Sequence, residues 1–90
     1  MFTKHAHLRC QQRAIPQLAV DLLLQFGTAQ KAPGGVCKVF LDKAGRRRLH
    51  AYAGPLASLL NEHLDVYAIV DEKTESVITV GHRLERIRKH

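Results

Sequence analysis

The sequence predicts an α+β fold. Two N-terminal helices pack on a small, mostly antiparallel sheet of three to four strands, with a helical insertion before the last two strands. Three observations carry this. Ile15, Leu18, Leu22 and Phe26 follow helical spacing. VCKVFL, at 36–41, alternates as a strand does. DVYAIVD and SVITVGH are rich in β-branched residues and are joined by residues 72–75.

The first helix is expected over residues 4–13, with Thr3 as its N-cap and a thin apolar side of Ala6, Cys10 and Ala14. Pro16 suits the first turn of the second helix, where its missing N–H costs nothing. Ala19 and Leu23 widen the apolar stripe of that helix, and Gly27 suits its C-terminal cap. Residues 28–32 read as a short edge strand, and Pro33-Gly34-Gly35 as a turn. The next strand places Cys37, Val39 and Leu41 on one face and Lys38 and Phe40 on the other.

Residues 42–53 admit two readings. As a helix, Asp42 caps the segment and Leu49, Tyr52 and Ala53 form its apolar side. As the return strand of a hairpin, Lys43-Ala44-Gly45 is the turn. The alanine-rich run and the arginines favour the helix, although Gly45 opposes it. Gly54-Pro55 then restarts the chain, and Leu56, Leu59, Leu60 and Leu64 give a short amphipathic helix. In DVYAIVD both faces are apolar, as in a central strand. In the last strand Ile78, Val80 and His82 are expected on one side, with Val77, Thr79, Gly81 and then Arg83 on the other.

Ninety residues make a single domain, 1–90, that buries about 60–65% of its extended surface. No apolar run reaches the ~18 residues of a membrane span, and MFTKHAHLRC lacks the pattern of a secretory signal. The expected location is the cytoplasm, with no membrane partner. Cys10 and Cys37 sit in apolar patterns without a CxxC motif and read as buried, free thiols rather than nucleophiles. The six histidines form no HExxH or close carboxylate cluster, and Gly34-Gly35 is no phosphate loop. Neither a metal nor a cofactor is expected. The sequence leaves the oligomeric state open.

The net charge of +6 is clustered. Lys43, Arg46, Arg47 and Arg48 form one group, Arg83, Arg86, Arg88 and Lys89 a second, and Lys4, Arg9 and Arg13 a third. Such a footprint suits nucleic acid or an acidic protein, although a basic protein with neither partner has the same composition.

HAHLRCQQRAI places His5, Arg9 and Arg13 four apart. Successive members differ by about 40°, so the column slants toward Ala6 and Cys10. Arg13 at that boundary either ties the helix to the sheet or binds an anion, and His5 is either a bystander or a catalyst. TVGHR brings Thr79, His82 and Arg83 to a strand end, with Arg86 beyond. A histidine beside arginines is a minimal kit for metal-free phosphodiester cleavage, with a proton-transferring ring and guanidiniums that hold charge on phosphorus.

These two motifs resemble a small bacterial family of unknown function. Its chains open with His-Ala, an Arg three residues after that Ala, another Arg four later, then Gly-Ile, and close with Ile-Thr-Val and a basic His-Arg ending. Ala14 stands where the family tends to have Gly, and the insertion at 42–64 is longer than in many related toxins. By remote similarity the family is grouped with RelE/ParE-like toxins and with barnase and colicin-type ribonucleases, many of which cleave RNA without metal. The resemblance marks His5, Arg9, Arg13, Thr79, His82 and Arg83 as positions to watch.

Two functions are therefore expected. The first is a toxin-like, metal-independent ribonuclease. His5, His82 and Thr79 would be its catalytic groups, and Arg9, Arg13, Arg83 and Arg86 would bind phosphate. The alternative is a non-catalytic basic module for nucleic acid or an acidic antitoxin-like protein.

Overall fold

A computed structural model describes residues 2–83. The elements run α1 (Lys4–Gln12), α2 (Gln17–Phe26), β1 (Thr28–Ala32), β2 (Val36–Phe40), α3 (Lys43–Ala53), α4 (Pro55–Leu60), a single 3-10 turn at Asn61–His63, β3 (Val66–Asp71) and β4 (Val77–His82). The four strands form one antiparallel sheet in chain order, so β3 is central as its two apolar faces predict.

Local chemistry sets the boundaries. The Thr3 hydroxyl accepts from the Ala6 N–H and starts α1. Arg13 caps its end, and Ala14 turns the chain through a left-handed φ of 53°. Pro16 is the N-cap of α2 rather than a first-turn residue. Gly27 ends α2 through close approach. A Cβ there would lie 2.4 Å from the Leu23 carbonyl oxygen and 2.9 Å from that of Phe40. The segment after Asp42 is helix, because the Asp42 carboxylate accepts the Gly45 N–H at 2.7 Å and fixes the first turn.

Helices α1 and α2 lie against the sheet, α1 along β4 and α2 across β2 and β3. One core results, with Leu23, Val20 and Leu49 from the helices over Val39, Val66, Ala68, Val77 and Val80 from the strands. Opposed residues in an antiparallel pair share a face. All five of these strand residues lie on one face of the sheet.

Several apolar side chains sit differently from their expected places. Leu18 and Tyr52 are exposed, because Ala19 and Val20 carry the inner edge of α2, and Leu49 alone carries that of α3 among its large side chains. Leu56 and Leu59 are also exposed, since Ala57 is the buried residue of α4 and Leu60 packs beside it against the core. Cys37 is half-buried rather than buried, while Cys10 is buried; both are free thiols. In β4, Val77 joins Val80 on the core face, not Thr79 on the other. Thr79 pairs with Ile69 and Val77 with Val70, so Ile78 is an extra residue that flips the alternation.

Candidate nucleic-acid interface

The sheet has two unlike faces, and the expected site residues divide between them. On the helix-clad side α1 is clasped to β4 at both ends. The Thr3 N–H donates to the Val77 carbonyl at 3.0 Å, and the Thr3 hydroxyl to that of Ile78 at 3.2 Å. At the other end Arg13 Nη1 donates to the Val80 carbonyl at 3.1 Å, and His82 Nε2 donates back to the Arg13 carbonyl at 3.0 Å. The inward slant of the basic column is thus explained by a strut. Arg13 reaches a backbone acceptor that would otherwise face the helix.

His5 is exposed at the start of α1, and its Nε2 accepts from Arg9 Nε at 3.2 Å. That bond needs the neutral ring, since an imidazolium has no acceptor. Arg9 also donates to Gln12 Oε1. His5 and Arg13 are eight residues apart, about 12 Å along the axis, and His82 sits at the Arg13 end. The structure therefore does not bring His5 and His82 together. Between α1 and α2 lies a surface cavity of about 410 Å3, lined by His7, Cys10, Gln11 and Ile15 among others, with no arginine in its wall. Burial, and then Asp21, raise the pKa of the Cys10 thiol there, which keeps it protonated at neutral pH.

Among the described residues, the opposite face carries no core residue. Phe40, Tyr67 and Gly81 form one row across β2, β3 and β4, continued by Thr28 on β1. Lys38, Ile69 and Thr79 form the next, continued by Gln30. Phe40, Tyr67, Lys38, Ile69 and Thr79 are half-buried. Each ring carries a cation. Lys38 Nζ lies 5.0 Å from the Tyr67 centroid, and the Arg83 guanidinium carbon 4.5 Å from that of Phe40. Arg83 also donates to the Leu41 carbonyl at 3.3 Å, which holds its guanidinium over β2. Tyr67 leans over Gly81, where a Cβ would lie 2.7 Å from its hydroxyl. A side chain at 81 would displace the Tyr67 ring from this position.

Thr79 and Arg83 thus share this face, away from His82, as the alternation predicts. Arg86 lies outside the described residues. Sequence reasoning missed Phe40, Tyr67 and Lys38, although the alternation in VCKVFL and DVYAIVD already put the aromatic residues off the Val39 and Ala68 faces. The signal that was lacking is the β2–β3 register, which sets Phe40 directly beside Tyr67.

The basic cluster of α3 is partly structural. Arg46 is ion-paired with Asp65, and Arg48 Nη2 donates to the Phe26 carbonyl at the end of α2. Lys43 and Arg47 are exposed. The pKa of Asp42 is lowered by the Gly45 N–H and then by the Thr28 hydroxyl, which donates to it at 2.9 Å. Among the described residues no group of three or more His, Cys, Asp or Glu is arranged to hold a metal, and no helix is long and apolar enough to cross a membrane.

Fold and site define a small α+β protein with one helix-clad sheet face and one cationic-aromatic face that no described helix covers. No protein-family model matches the chain, and neither a curated protein nor a solved structure matches it significantly.

Proposed function

We propose that this protein is a basic binding module for single-stranded RNA, and that the RNA lies across the open face of the sheet. One observation carries the reading: Phe40 and Tyr67 are cross-strand neighbours, each capped by a cation, on the face that the core does not use. Every base has a π-face, and stacking on an aromatic side chain is worth about 1–3 kcal/mol per base. A base arriving on Tyr67 replaces the Lys38 ammonium as the ring's partner and leaves Lys38 beside the phosphate. Over Phe40 the Arg83 guanidinium offers a second flat surface. Aromatic rings on a sheet face stack only with bases that have left the helix stack, which favours a single strand. The net charge of +6 supports a polyanion as ligand.

Binding is a better reading than cleavage because the histidines are occupied with helix α1. His82 holds the Arg13 carbonyl, and His5 accepts from Arg9. Neither stands on the face with Thr79 and Arg83.

Labelled single-stranded RNA, titrated with protein in EDTA at several salt concentrations, tests the proposal. Affinity should fall steeply as salt rises, and the RNA should stay intact. Cleavage that is lost in both His5→Ala and His82→Ala would establish the metal-independent ribonuclease instead. Absence of RNA binding at low salt would overturn the reading.

A further inference from the structure

We propose that Thr79 reads the ribose 2′-hydroxyl and makes the open face selective for RNA over DNA; this rests on the reading of that face as a single-strand platform. Thr79 is half-buried in β4, opposite Ile69 and one row from the Tyr67–Gly81 pair. Its hydroxyl has no hydrogen-bond partner among the described residues.

The chemistry of the face singles it out. Lys38 and Arg83 are donors only and match phosphate oxygens. A ribose hydroxyl both donates and accepts, and a threonine hydroxyl complements it in either direction. Position agrees with this. Tyr67 and Thr79 are diagonal neighbours across β3 and β4, about 7–8 Å apart. The Tyr67 ring leans toward β4 because residue 81 has no side chain. A base lying on that ring, with its phosphate drawn toward Lys38, sets the intervening ribose over the next row, where Ile69 and Thr79 are paired.

The test compares a labelled oligouridylate with the matching oligodeoxyuridylate, which differ only at the 2′ position. Wild-type protein should prefer the ribo-oligomer by about fivefold, the scale of one neutral hydrogen bond. Thr79→Val keeps the shape and removes the hydroxyl. It should weaken the ribo-oligomer to the level of the deoxy-oligomer and leave the latter unchanged, so deoxy binding also reports that the variant is folded. Thr79→Ser should restore the preference. Equal affinity of the wild type for both oligomers, or a preference that survives Thr79→Val, would overturn the assignment while leaving the platform standing. Failure of both oligomers to bind wild-type protein at low salt would remove the platform itself.

Discussion

The two faces of the sheet use their polar groups in opposite ways. On the helix-clad side His82 and Arg13 exchange hydrogen bonds with each other's surroundings, and what they hold is α1. On the open side Arg83 and Lys38 lie over aromatic rings rather than over core. His82 and Arg83 are adjacent in sequence, yet the pleat sends them to different environments. A basic cluster in a strand therefore divides by face and is not one site. Half of TVGHR is a strut and half is surface chemistry.

Breaking the covered face should cost the most stability. Leu23 is fully buried between α2 and the sheet, so Leu23→Ala should destabilise the fold by about 3 kcal/mol in urea unfolding. RNA affinity of the folded fraction should not change. Breaking the open face should do the reverse. Tyr67→Ala should weaken single-stranded RNA about tenfold in anisotropy titrations, while its unfolding midpoint shifts less than that of Leu23→Ala. A smaller effect separates strut from phosphate ligand. Arg13→Ala should lose about 1.5 kcal/mol of stability and leave both RNA affinity and its salt slope unchanged. A reduced salt slope would return Arg13 to the anion-binding role.

The fold was largely legible in the sequence. β-branched runs, turn residues and the stripe at 15–26 locate the helices and strands, and Asp42 points to the helix that follows it. Boundaries and facing were less legible. Ile78 is an extra residue in the β3–β4 ladder, and nothing in SVITVGH distinguishes a bulge from regular alternation. Leu56 and Leu59 look like the inner side of a helix, but a six-residue helix that starts at Gly54-Pro55 is oriented by tertiary packing, which turned Ala57 inward. The candidate site was legible only in pieces. Motif spacing drew attention to histidines and arginines along α1, whereas the cationic-aromatic pairs depend on strand register between distant residues.

The smallest expected effect concerns neither face but the joint between β1 and α3. The Asp42 pKa is lowered in the folded protein, so the unfolded chain binds its proton more readily. Its contribution to stability is present above about pH 4, the unfolded carboxylate value, and is lost as pH falls through the lowered value. Asp42→Asn, which keeps a capping oxygen, should flatten the acid limb of a thermal-unfolding profile and leave the sheet faces and RNA binding unchanged.

Backbone amide chemical-shift mapping with a single-stranded oligouridylate tests the central claim most directly. Perturbations should concentrate at Lys38, Phe40, Tyr67, Thr79, Gly81 and Arg83, with α1 silent. Perturbations that concentrate at His5, Arg9 and Arg13, with the open face unchanged, would contradict it.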